Sequence, residues 1–207
     1  MVFSLNPREV IMKHILTIDI EGDGLDRLLN KQVFPEGNHF DPGTIPWCFT
    51  ICRDGWTYTC VCKLPEATRT LPGYYVDYGK RSNQTKAYHL KTSLVPDRID
   101  GHRIKEFTDR NMFIRAIATF LEHADGPVFF KGYGDYEYDK DLLETVFKQY
   151  GVDTKDLNKL FKADAPDLNT NSQIHTDCYK PNQQYLVDGI KHNIEDALSL
   201  YKYITRN

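Results

Sequence analysis

A short apolar run near the start of the chain ends in two carboxylates. Ile15, Leu16, Thr17 and Ile18 precede Asp19-Ile20-Glu21, and Gly and Asp residues follow. This pattern predicts a buried strand over residues 14–21 that leads into a loop. Because strand side chains alternate between faces, Asp19 and Glu21 point the same way and can grip a hard cation together. A solvated acidic turn is the alternative interpretation.

A second acid stands where a strand pattern gives way to a helical pattern. A strand is predicted over 127–133, and apolar residues at 138, 142, 143, 146 and 147 predict a helix over 139–150. Asp139 therefore lies at the start of this helix. The helix dipole favours an acid there even without a metal, so a capping role is also consistent with the pattern.

The last helical pattern brings a histidine and an acid together. A helix over 193–205 is predicted, and His192 and Asp196 are four residues apart, so they share a face if both are helical. A surface histidine beside a solvated acid would give the same pattern.

These residues resemble the DEDD (DnaQ-like) superfamily of 3′-to-5′ exonucleases. Residues 19–26 read Asp-Ile-Glu-Gly-Asp-Gly-Leu-Asp, against the family's Asp-x-Glu-Thr-Thr-Gly-Leu-Asp. Tyr138-Asp139 matches the aromatic-Asp pair of the second motif, and Asp196-Ala197 matches the Asp-Ala of the third. His192 resembles the histidine of the DEDDh branch, but it precedes the last acid by four positions, the spacing of the tyrosine branch, rather than five.

The resemblance implies a chemistry and a set of roles. It implies two Mg²⁺ or Mn²⁺ ions held by Asp19, Glu21, Asp139 and Asp196, with His192 as the general base. The substrate would be the 3′ end of single-stranded RNA or DNA, and the products nucleoside 5′-monophosphates. The substrate-binding residues it implies are Gly22, Asp23, Leu25 and Tyr138, with Leu25 against the last base.

The fold that the resemblance implies is an α/β, RNase H-like fold with a central five-stranded mixed sheet flanked by helices. Three antiparallel strands in series would be followed by two parallel strands beside the first. The pattern supplies the first strand, a hairpin over 45–64 with an Asp54-Gly55 turn, a helix over 108–123, the strand at 127–133 and a short strand near 165–169.

Residues 65–106 form an insertion that the family does not explain, predicted to be irregular. Lysines and arginines alternate there with tyrosines such as Tyr74, Tyr75 and Tyr88. Such a mixture suits a phosphate backbone with unstacked bases, as in single-stranded nucleic acid. A solvated loop with tyrosines packed on the domain surface fits the pattern equally well, and a lid over the active site is a further alternative.

Composition agrees with this interpretation. A chain of 207 residues with 41% hydrophobic residues is expected to form a single domain over residues 1–207. A net charge of −3 excludes a global basic field, which a metal-dependent nuclease does not need. The five cysteines lack a zinc-finger frame, so reduced thiols are expected. No signal peptide or membrane segment is visible, which predicts a cytoplasmic protein without a membrane partner; a homodimer stays open.

Two other functions compete with exonuclease activity. A catalytically silent nucleic-acid-binding or scaffolding module could use the same fold. Asp19-x-Glu21-Gly22 weakly resembles the Asp-x-Asp-Gly-Thr signature of phosphatases of the haloacid dehalogenase type. The glutamate at the second acid and the missing threonine count against this function.

Overall fold

The protein is built around a mixed sheet of seven strands with helices on both faces. The computed structural model describes residues 15–23, 45–62, 75–77, 80–82, 94–132, 137–153, 155–165 and 183–206. From one edge of the sheet to the other, the strands are Arg98–Ile99, His102–Phe107, Trp56–Cys62, Ile45–Arg53, Leu16–Asp23, Val128–Lys131 and Leu160–Ala163. This is an α/β architecture, as the sequence predicts.

The first three strands run antiparallel in series. They are β1 (Leu16–Asp23), β2 (Ile45–Arg53) and β3 (Trp56–Cys62), with β2 paired to both neighbours. Asp54 and Gly55 join β2 to β3 with φ values of 51° and 77°. Positive φ at both turn positions suits the right-handed twist of a hairpin, which is why Asp-Gly is favoured there. The predicted hairpin is confirmed.

Two parallel strands extend the sheet on the other side of β1. They are β8 (Val128–Lys131), which pairs with β1, and β9 (Leu160–Ala163), which pairs with β8. The expected order of three antiparallel strands and then two parallel ones is therefore confirmed. The short strand predicted near 165–169 is wrong in position, because the strand is β9, directly after a 3₁₀ turn at Lys155–Lys159.

The sheet has two strands more than the predicted five. They are β6 (Arg98–Ile99) and β7 (His102–Phe107), a hairpin whose second strand pairs parallel to β3. Its turn is Asp100-Gly101, with φ values of 48° and 85°. The prediction that 65–106 is irregular is therefore wrong for this part. Two further short strands, β4 (Tyr75–Asp77) and β5 (Lys80–Ser82), pair with each other in a separate sheet.

Within the described ranges, three α-helices cover the sheet. Helix α1 (Arg110–Glu122) is capped by Asp109, whose side chain accepts a hydrogen bond from the Met112 amide. Helix α2 (Tyr138–Tyr150) ends at Gly151, which is left-handed with φ 61°. Helix α3 (Gln183–Arg206) begins ten residues before the predicted start at 193. No described helix combines the length and apolar composition that a bilayer crossing needs.

The two faces of the sheet have separate cores. The side covered by α1 and α2, here the α1/α2 face, buries a large apolar cluster that includes Ile18, Phe49, Phe113 and Phe147. The side covered by α3, here the α3 face, buries a smaller cluster, with Cys48, Val61, Leu186, Ile190 and Ile194 among its members. Since strand residues alternate, Asp19 lies on the α3 face, between Ile18 and Ile20 of the other core.

Candidate functional site

The first acids lie at the end of β1, beside an irregularity in the sheet. Glu21 pairs with Cys48 of β2, and Gly22 pairs with Pro46, so Trp47 has no opposite residue. Such a bulge changes the direction of the side chains around it and is common near functional sites. Trp47 is thereby buried with Cys48 in the α3-face cluster. Asp19, 8% exposed, and Glu21 lie at this end of the strand.

Helix α3 is bound to β1 next to these acids. The Thr17 hydroxyl donates a 2.7 Å hydrogen bond to the carbonyl oxygen of Ala197, and both residues are buried. This bond lies one residue from Asp196 on the helix and two residues from Asp19 on the strand. It therefore holds the third motif against the first.

Asn193 of α3 links the two elements through side chains. Its Nδ2 donates to Oδ2 of Asp19 at 2.5 Å, and its Oδ1 accepts from the Cys48 thiol at 3.4 Å. Asn193 is fully buried. A buried carboxylate with an amide donor is stabilised in its charged form, so Asn193 both orients Asp19 and offsets part of the cost of its burial.

His192 and Asp196 do share a helix face, as the spacing predicts. His192 Nε2 lies 3.6 Å from Oδ2 of Asp196, and the His192 side chain is 2% exposed. The interpretation of His192 as a surface histidine is therefore wrong, because α3 turns this face towards the sheet.

The second acid comes from the helix that follows β8. Asp139 is the second residue of α2 and is 5% exposed. Its Oδ2 is buried and makes no hydrogen bond to any of the described residues. Glu137, and not Asp139, occupies the cap position, so a capping role does not account for Asp139. Burial of an unsatisfied carboxylate oxygen is costly and calls for a charge-based explanation.

The acids raise one another's pKa values by electrostatic repulsion. Burial, followed by the charges of Asp139, Asp196 and Glu21, raises the pKa of Asp19 well above its usual value. Burial, with Glu21 and Asp196, raises the pKa of Asp139 in the same way. Burial also raises the pKa of Glu21 to about 7, and Asp196 adds to the rise. Four carboxylates from β1, α2 and α3 thus repel one another at one edge of the sheet.

Cationic and amide groups oppose this repulsion. Lys131, the last residue of β8, places its Nζ 3.5 Å from Oδ2 of Asp196. Its charge lowers the pKa of Asp19, Glu21 and Asp139. For Glu21, His192 and the Asn193 amide act in the same direction.

A divalent cation suits this donor set. Carboxylate oxygens are the ligands that Mg²⁺ and Mn²⁺ prefer, and a cation would relieve the repulsion and use the Oδ2 atom of Asp139. The residues therefore fit the group chemically. Across the part of the chain that the structure describes, no group of three or more His, Cys, Asp or Glu side chains is placed so that it could hold a metal ion. Asp19 faces the Asn193 amide instead, and Asp196 faces Lys131 and His192.

Only some of the remaining predicted site residues lie within the described part of the chain. Tyr138 begins α2, half-buried beside Asp139, and Gly22 is buried at the bulge. Asp23 ends β1, and its side chain is not among those described. Leu25 lies outside the described residues, as do Tyr74, Tyr88 and three of the eight basic residues predicted to contact nucleic acid, Arg69, Lys86 and Lys91.

Sequence reasoning missed Lys131 and Asn193. A signal was available for Lys131, since the carboxyl ends of parallel strands meet at one edge, which puts the last residue of β8 near that of β1. Asn193 had a weaker signal, as a neighbour of His192 on a predicted helix.

Comparison with protein-family models found no match, and no similar protein was found among curated sequences.

Proposed function

We propose that the chain is a metal-dependent 3′-to-5′ exonuclease of single-stranded RNA or DNA, with an RNase H-like fold and the DEDDh residue set. The observation that carries this proposal is the meeting of Asp19, Glu21, Asp139 and Asp196 at one sheet edge, with mutual repulsion and an unsatisfied buried oxygen. The motif resemblance supports it. The order β3-β2-β1-β8-β9 within the sheet, with three antiparallel strands followed by two parallel ones, supports it as well.

The four carboxylates would hold two Mg²⁺ or Mn²⁺ ions. When bound, such ions polarise the scissile phosphate and lower the pKa of the attacking water. The acids make this edge strongly negative by themselves, so they cannot bind a phosphodiester unaided. The dependence on added metal should therefore be absolute.

His192 would accept the proton of the attacking water. Since its Nε2 faces Oδ2 of Asp196 at 3.6 Å, the other ring nitrogen, Nδ1, would take up this proton. Asp196 would keep the ring in a fixed orientation, in the way a carboxylate orients a catalytic imidazole. Burial of the base also keeps bulk water away from the proton transfer.

The test uses 5′-labelled single-stranded RNA and DNA oligonucleotides with Mg²⁺, Mn²⁺ or EDTA. The wild type should give a ladder that shortens from the 3′ end only with metal, and Asp19→Asn should lose at least about 10³-fold in rate. Asp164→Asn, whose side chain is 75% exposed, is the matched control and should cleave normally. Full activity in Asp19→Asn would refute the proposed site.

A second candidate is a catalytically silent nucleic-acid-binding module on the same fold. The ion pair between Lys131 and Asp196 favours it, because that pair engages an acid that catalysis needs. The same assay separates the two functions. A silent module would retard labelled strands in a gel and leave their length unchanged with either metal.

A further inference from the structure

Lys131 lies inside the acidic site rather than beside it. Ile18 of β1 pairs with Phe130 of β8 in parallel register, so the following residues, Asp19 and Lys131, lie side by side on the α3 face. The Lys131 side chain is 18% exposed, and that of its partner Asp196 is 11% exposed. A lysine is rarely buried to this degree unless it is paired.

The neighbouring strand offers a contrast. Lys162 of β9 is 23% exposed, and its Nζ lies 3.3 Å from Asp164, whose side chain is 75% exposed. That pair is screened by solvent and is worth little to the fold. The pair of Lys131 with Asp196 is shielded on both sides, and the charge of Lys131 acts on three further acids. The two lysines are alike in exposure but not in surroundings.

We propose that Lys131 is the internal counter-cation of the acidic site, and that it competes with divalent ions for Asp196. The inference rests on the proposed function in one respect, which is that the acids bind metal. With Lys131 paired to Asp196, the carboxylate offers that oxygen to an ammonium group. Metal binding then requires the ammonium to leave, so Lys131 lowers metal affinity and sets the metal concentration at which the site fills.

The experiment measures Mn²⁺ affinity of the full-length protein by electron paramagnetic resonance of free Mn²⁺. Lys131→Met keeps the length of the side chain and removes its charge, so it should bind Mn²⁺ about tenfold more tightly than the wild type. Lys131→Arg keeps the charge and should stay within about twofold. Lys162→Met, the matched control, should bind as the wild type does.

A second measurement follows the ion pair without metal. In EDTA, Lys131→Met should lower the Tm by about 3 °C, since it leaves the acids without their counter-charge. The double variant Lys131→Met with Asp196→Asn should recover most of this loss.

The outcomes separate the inference from the proposed function. If the wild type binds Mn²⁺ and Lys131→Met binds it no more tightly, the competition is refuted and the metal site stands. If the wild type binds no Mn²⁺, the proposed function and the competition both fail. In that case the Tm values decide the counter-cation role. If the Tm changes of Lys131→Met and Asp196→Asn simply add in the double variant, the role is refuted.

Discussion

The two faces of the sheet use the same strands for different purposes. On the α1/α2 face, the buried side chains are apolar from β1 through both helices, except for Asp139 at the start of α2. On the α3 face, buried Thr17, Asp19, His192 and Asn193 lie beside a smaller apolar cluster. Burial of apolar area drives folding, whereas buried polar and charged groups cost free energy unless each has a partner. The α1/α2 face therefore stabilises the domain. This stability offsets the free-energy cost of the polar and charged groups buried on the α3 face.

The largest effect should come from breaking the apolar face. Phe113 is fully buried in α1, and its ring centroid lies 5.3 Å from that of Phe49. Phe113→Ala should lower the free energy of unfolding by about 3–5 kcal/mol, because it leaves a cavity. Cleavage per folded molecule should not change. Urea denaturation measures this, with Met112→Ala, a residue 62% exposed, as a control that stays within about 0.5 kcal/mol.

The next effect should come from the amide that supports Asp19. Asn193→Ala leaves the buried carboxylate without its 2.5 Å donor. The free energy of unfolding should fall by about 2 kcal/mol at alkaline pH, where Asp19 is ionised, and most of the loss should vanish at pH 4, where protonated Asp19 no longer needs the donor. Asn158→Ala, at an exposed position, is the control. A loss that is equal at both pH values would show that Asn193 merely fills space.

A smaller effect, of opposite sign, is expected for Glu21→Gln. Burial raises the folded-state pKa of Glu21 to about 7 from an ordinary 4.5. The unfolded chain therefore ionises first, and stability falls as pH rises from 4.5 to 7. Glutamine removes this penalty, so in EDTA the variant should be more stable by about 1–2 kcal/mol at pH 8 and unchanged at pH 4. Glu144→Gln, exposed on α2, should show no such pH dependence.

The smallest effect is expected for two polar groups of the α3 face that adjoin the acids, since Thr50 of β2 pairs with Asp19 of β1. Thr50 and Thr59 are both fully buried, and their hydroxyl oxygens are 2.9 Å apart. Thr50→Val leaves the Thr59 hydroxyl without its hydrogen-bond partner and should lower the free energy of unfolding by about 1 kcal/mol. The double variant with valine at both positions should be nearly as stable as the wild type. Thermal unfolding of the three proteins gives the answer. A large loss in the double variant would mean that these hydroxyls support the site.

Much of the fold could be predicted because its signals are local. The apolar periodicity of α1 and α2 and the Asp54-Gly55 turn depend only on neighbouring residues, and the structure confirms all three. The second hairpin carried the same signal at Asp100-Gly101, but β7 is polar at most positions and lacks the alternation that marks a strand. Its place in the sheet is fixed by pairing with β3, which no local pattern reveals.

The acids of the site could be found from their motifs, whereas their partners depend on the strand order and on the orientation of α3. Asp19, Asp139 and Asp196 belong to three elements far apart in sequence, and the structure brings them to one edge. Lys131 is an isolated lysine that belongs to no motif. Its closeness to the acids follows only from the pairing of β8 with β1. The burial of His192 likewise depends on which face α3 turns to the sheet.

The central claim is that the acidic cluster at the edge of the sheet is a cation site, and metal-dependent stability tests it most directly. The Tm of the wild type should rise by several degrees on replacing EDTA with millimolar Mn²⁺, since binding to the folded state alone stabilises it. Asp19→Asn should show little rise, and Asp164→Asn should match the wild type. A wild-type Tm that is the same in Mn²⁺ and EDTA would contradict the account.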